Sequence, residues 1–155
     1  IAELNNKKVH VLIIGDGPEK ENLIKLSNNL KIADQIHILG FQSEEKKFQY
    51  LANSDIYILS SVHEGFGIVL QEAMQVGLPI ISTDDGGQTD LIKDKSNGFL
   101  IKFNDTKALN EKINILINNK TIAQQMSLKN KELIKRYATP KILKEYLEVV
   151  GWSGK

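Results

Sequence analysis

"DIYILSSVHEGFGIVLQEAMQVGLPIISTD", residues 55–84, contains a whole strand–loop–helix–strand unit. "DIYILSS" (55–61) is a short apolar run without polar alternation, the pattern of a strand covered on both faces. "IVLQEAMQV" (68–76) has the composition of a helix; Gly77 stands behind it as a C-terminal stop and Pro79 lies just beyond. "LPIISTD" (78–84) is a second apolar run. Two such strands joined by a helix pair in parallel through a right-handed crossover.

The same alternation extends in both directions. "VHVLIIG" (9–15), "QIHILG" (35–40) and "GFLIKF" (98–103) read as further buried strands. "EKENLIKLSNNLKI" (19–32) places Leu23, Leu26 and Leu30 at helical spacing. "SEEKKFQYLANS" (43–54) is a second helix, with Ser43 as its N-cap. A short helix is expected after Gly87, through Leu91 and Ile92. From Asp105 the chain reads as helical: "TKALNEKINILINN", "TIAQQMSLKNKELIKRY", and "PKILKEYLEVV" from Pro140. The expected fold is α/β: a single Rossmann-like, three-layer αβα domain over residues 1–155, with a parallel sheet of about five strands.

Composition narrows the function classes. The 155 residues suit one domain with a real core, and 41% hydrophobic with 25% charged residues is an ordinary globular balance. A net charge of +1 argues against a dedicated nucleic-acid binder. The absence of cysteine excludes disulfides, thiolate metal sites and cysteine nucleophiles, and fits a reducing compartment. No apolar run approaches the roughly 20 residues of a membrane span, and no signal peptide is visible. The opening "IAELNNKK" lacks Met and reads as the end of a helix, so a piece of a longer protein is expected.

In parallel α/β sheets, ligands bind beyond the carboxyl ends of the strands, which directs attention to the loops. "GDGP" (15–18) offers Gly15 and Gly17 for close backbone approach and Pro18 for a first helical turn. A dinucleotide fingerprint would need a glycine where Lys20 stands, so the signal for a nicotinamide cofactor is weak and a plain tight turn explains the stretch. "DDGGQTD" (84–90) is open between backbone amides facing a ligand and a simple loop before a helix. His63 is a loop residue beside a candidate site, His10 and His37 fall inside strand patterns, and the three have no metal-ligand spacing.

"SVHEGFGIVLQEAM" is the sharpest loop. Gly65 and Gly67 permit unusual backbone, and a helix starting near Gly67 points unpaired amides into the loop. That is an anion site aided by the helix dipole. Glu64 precedes it, and Glu72 lies one to two turns inside. Carboxylates accept two hydrogen bonds at once and match vicinal hydroxyls of a sugar. One geometry satisfies the whole stretch: diphosphate at the helix start, with a ribose on one glutamate and a second sugar on the other. Taken singly, each glutamate also reads as a solvated surface acid.

The run from "SSVHEGFGIVLQEAMQVGLPIISTDDGGQTDLIKDKSNGFLI", with "VLIIGDGPEKENL" and "IHILGFQSEEKKFQYLANSDIYILSS" before it, resembles the retaining glycosyltransferases of family 4. These have two facing Rossmann-like domains, the GT-B architecture. The resemblance spans about Val9 to Ile101, and the E-x7-E motif opening on E-G-F-G is its specific part. It implies that Glu64, the catalytic candidate, holds hydroxyls of the donor sugar, and that Glu72 accepts from the donor ribose. Backbone around Gly65, Phe66, Gly67 and Ile68 would face sugar and diphosphate. Phe41, Gln42 and Ser43 would meet the nucleobase, and Gly15, Gly17 and Gly87 would line the same cleft. The implied donor is a UDP- or GDP-linked sugar, with no cofactor and no metal ion.

The resemblance also implies what this sequence does not carry. Family members hold the diphosphate with an Arg and a Lys after the first strand of this domain. Arg136, the sole arginine, stands in the late helices instead. A missing charge-assisted hydrogen bond costs about 1.5–3 kcal/mol. The expectation is therefore the C-terminal donor half alone, without its first strand and acceptor domain, and inactive by itself. The complete protein is expected in the cytoplasm, including peripheral contact with the inner face of the membrane. Its partners would be the donor and its own N-terminal domain, not nucleic acid. An epimerase of the same architecture, or a non-catalytic nucleotide-binding or assembly module, are the alternatives; E-G-F-G with E-x7-E favours transfer.

Overall fold

A computed structural model describes residues 1–4, 6–62, 64–65 and 67–137. His63, Phe66 and the helix expected from Pro140, with Trp152 beyond it, lie outside the described residues. The chain divides into two compact units, Ile1–Asn53 and Ser54–Lys155.

In the first unit, β1 (Val11–Ile14) leads through α1 (Lys20–Asn29) to β2 (Ile36–Gly40), and α2 (Glu44–Ala52) follows. β1 and β2 pair in parallel, Val11 opposite Ile36, and the register slips so that Ile14 meets Gly40. Ser43 caps α2 as its sequence predicts: its Oγ accepts from the Lys46 amide at 3.3 Å. Leu23 and Leu26 fall on α1, with Leu30 at its C-cap, as their helical spacing predicts, but Leu26 is 52% exposed and Leu30 48%.

The second unit runs β3 (Tyr57–Leu59), α3 (Ile68–Val76), β4 (Ile80–Thr83), α4 (Gln88–Leu91), β5 (Gly98–Ile101), α5 (Thr106–Asn118) and α6 (Lys120–Leu133), with a 3-10 turn at Ile134–Tyr137. Its three strands are parallel in the order β3-β4-β5. The five expected strands are thus all present and parallel, but they hydrogen-bond as sheets of two and three, not as one. β2 spends its ladder on β1, β3 spends its on β4, and the chain passes between them through α2 without a shared ladder.

Apolar runs alone overstated strand burial. Only β4, the middle strand of three, is buried at every position, whereas Leu12 of β1 is 40% exposed. Around β4 lies the core. Leu70, Ala73 and Met74 of α3 are fully buried, as are Ile80, Ile81 and Ile92. Each large side chain buried this way contributes about 1.5–3 kcal/mol. α3 ends in a left-handed Gly77 at φ 88°, whose N–H reaches Met74 O while Leu78 N–H reaches Ala73 O, both at 3.0 Å. This pairing satisfies the last carbonyls of the helix and turns the chain directly into β4.

A buried polar clasp fixes α6. Asn130 donates to Leu78 O at 2.7 Å and to Asn97 O at 2.9 Å, and accepts from Asn97 Nδ2 at 2.8 Å. Asn97 Oδ1 in turn accepts from the Lys93 amide at 2.8 Å. Both asparagines are fully buried, so these bonds stand in for water.

Candidate functional site

Each unit gathers its predicted residues at the carboxyl ends of its own strands. In the first unit, Gly15 takes φ 132° and donates to Gly40 O at 2.9 Å, joining the ends of β1 and β2. The Gly17 amide is held by Asp16 Oδ1 at 2.9 Å. Phe41, directly after β2, is 87% exposed, which makes its ring a free apolar plate. Gln42 Nε2 donates to Leu39 O at 2.6 Å, and Ser43 Oγ accepts at the α2 cap.

In the second unit, the loop between β3 and α3 carries Glu64. Its Oε1 accepts from Ser61 Oγ at 2.9 Å, and its backbone carbonyl accepts from the Gly87 amide at 2.7 Å. The Gly87 amide is therefore engaged with the loop. A Cβ at Gly87 would stand 2.3 Å from Gly65 O, so only glycine lets the two loops abut. This close approach is why "DDGGQTD" needs a glycine at that point.

Gly67 opens α3 in the left-handed region, φ 64° and ψ 39°, and its carbonyl accepts from Leu70 and Gln71. The first amides of α3 have no acceptor within the helix and are directed at the loop. The positive end of the helix dipole adds to them. Exposed Ile68 and Val62, 61% and 55%, form an apolar rim beside this mouth.

Glu72 is half-buried one turn into α3. With Ile68, Gln71 and Gln75 it forms one helix face, at spacings of three and four residues. That face lines a hollow of about 350 Å³, walled on its other side by Lys135 and Tyr137. No residue pattern marks these two; they belong to the late 3-10 turn, far from the motif in the chain. Thr83 binds the loop through Ser61 O and Gln88 binds Thr83; a threonine ending a buried strand is the only signal that points to this pair.

Among the described residues no three His, Asp or Glu side chains come together as a metal site. No helix among them is long and apolar enough to cross a membrane.

The chain is similar to known proteins. The family model described as "Glycosyl transferases group 1" matches residues 1–133. An uncharacterized glycosyltransferase of Haemophilus influenzae is 36% identical over 135 residues, covering 86% of this chain and 38% of the relative. The crystal structure of Anabaena Alr3699/HepE in complex with UDP superposes with a TM-score of 0.89 at 23% identity, covering 97% of this chain and 43% of that one. The pneumococcal O-GlcNAc transferase GtfA, solved with UDP and GlcNAc, superposes with a TM-score of 0.84 at 26% identity, over 97% of this chain and 31% of that one. The chain spans less than half the length of each of these relatives.

Proposed function

The chain belongs to the glycosyl transferases group 1 family and has the fold of a Rossmann-like half of the GT-B architecture, and we propose that it is the donor-binding half of a family 4 retaining enzyme. The complete protein would transfer a hexosyl group from a UDP- or GDP-linked sugar to an acceptor. The observation that carries this reading is the mouth of α3: amides opened by the left-handed Gly67, Glu64 held by Ser61 just before them, and Glu72 at the hollow one turn later.

The chemistry follows from those positions. The amides of Gly67 and Ile68 face the diphosphate, where charge grows as the bond from the sugar C1 to the phosphate oxygen breaks. Glu64 accepts from hydroxyls of the donor sugar and holds C1 toward the acceptor oxygen. Glu72 accepts from the two ribose hydroxyls. The acceptor hydroxyl oxygen bonds to C1 as the bond from C1 to the phosphate oxygen breaks; the nucleoside diphosphate leaves with that electron pair, and the proton the hydroxyl gives up is taken up by it or by water. UDP in the GtfA structure supports uridine as the base. Acceptor groups belong to the part of the protein beyond this chain, so residues 1–155 alone bind nucleotide weakly and transfer nothing.

Titration of UDP, GDP and ADP with chemical-shift mapping tests the reading. Shifts confined to residues 40–43 and 64–72 are the expected result. A uniform absence of shifts would put a non-catalytic assembly module in its place.

A further inference from the structure

Behind Glu64 lies a chain of hydrogen bonds that ends on a fully buried amide. Gln88 Nε2 donates to Thr83 Oγ1 at 3.0 Å. The Thr83 hydroxyl donates to the Ser61 carbonyl. The Ser61 hydroxyl donates to Glu64 Oε1 at 2.9 Å. The direction is fixed at every step. Thr83 has one proton and gives it to Ser61 O, so it meets Gln88 only as an acceptor, and only the NH₂ of Gln88 can face it.

That orientation has a consequence. Gln88 Oε1 is buried without a hydrogen-bond partner, in a residue with 0% exposure. A leucine of similar size would fill the space and leave no orphaned oxygen; it would forgo one neutral hydrogen bond to Thr83 but be spared the unsatisfied oxygen, whose cost is the larger of the two, so stability alone does not favour glutamine here. Local rules broken without a stability gain point to function.

We propose that Gln88 is a positioning residue for Glu64. Through Thr83 and Ser61 it sets the height of residues 61–65, and thereby the grip of Glu64 on the donor sugar. The inference rests on the reading of Glu64 as the sugar-binding carboxylate. It assigns to α4 a share in sugar recognition, although α4 itself need not touch the sugar.

The test uses the full-length enzyme and the best donor among UDP- and GDP-linked glucose, N-acetylglucosamine and mannose, followed by release of nucleoside diphosphate. Gln88→Leu should keep the melting temperature within a few degrees, lower kcat/KM about tenfold, and leave the affinity for the free nucleoside diphosphate unchanged. Thr83→Val should reproduce this loss, Thr83→Ser should restore most of it, and the Gln88→Leu/Thr83→Val pair should lose no more than either alone. On a Glu64→Gln background, Gln88→Leu should do nothing further. An equal loss on that background, or a parallel loss of free-nucleotide affinity, would overturn the proposal. If Glu64→Gln itself left kcat/KM unchanged, the reading of Glu64 would fall, whatever Gln88 does.

Discussion

Gly87 and Glu64 meet backbone to backbone: the Gly87 N–H donates to Glu64 O at 2.7 Å, and a Cβ on Gly87 would lie 3.0 Å from that same oxygen. The loop that carries the acid is thus held by a contact too close for any side chain.

Gly87→Ala should accordingly do two things together. The methyl must displace the backbone of residue 65, an overpacking cost of about 1–3 kcal/mol. The same displacement lifts Glu64 off Ser61. Urea unfolding should show the lower midpoint, and donor KM in the full-length enzyme should rise with it.

Glu72→Ala removes a carboxylate from the hollow beside α3 without touching the core. A lost charged hydrogen bond of about 1.5–3 kcal/mol corresponds to roughly a 10- to 100-fold weaker grip. Donor KM and the dissociation constant of UDP should rise by that factor, with kcat changing less. An unchanged dissociation constant would remove the ribose role.

Gly67→Ala asks an L-residue to hold φ 64° at the start of α3, with its Cβ 2.9 Å from Leu91 Cδ1. The left-handed conformation costs about 1–2 kcal/mol. Leu91 is a side chain and can yield in part. A thermal scan should show a lower melting temperature, and phosphate-dependent binding should weaken as the first turn of α3 shifts.

Asn130→Ala strands two buried carbonyls, Leu78 O and Asn97 O, while the Asn97 amide that donated to it keeps its bond to Leu91 O at 3.1 Å. Each stranded group costs about 1–3 kcal/mol. The loss should exceed that of a surface substitution several-fold in equilibrium denaturation, although the position is remote from Glu64 and Glu72 in the chain.

Much of this was legible in the residues. The five strands and the bounds of α3 follow from apolar runs, Gly77 and Pro79, because local backbone rules decide them. Ser43 announced its own helix start. Pairing was not legible: nothing in "QIHILG" or "DIYILSS" says which strand lies beside it, so one sheet was expected where two form. The exposure of Leu26 and Leu30 was not legible either, since helical spacing shows a face but not what covers it. At the site, Glu64 and Glu72 stood out through their spacing. Gln88, Thr83 and Ser61 did not, because their alignment arises from three separate segments meeting under one loop. Lys135 and Tyr137 were hidden in the same way.

The asparagine clasp also imposes a timetable. It links positions 33 and 52 residues apart, so it closes long stretches of chain and forms late. A chain leaving the ribosome presents the mouth of α3 well before α6 has emerged to hold Leu78 and Asn97. The nascent domain can therefore assemble the loop before α3 early, yet it locks only once residue 130 has left the ribosome.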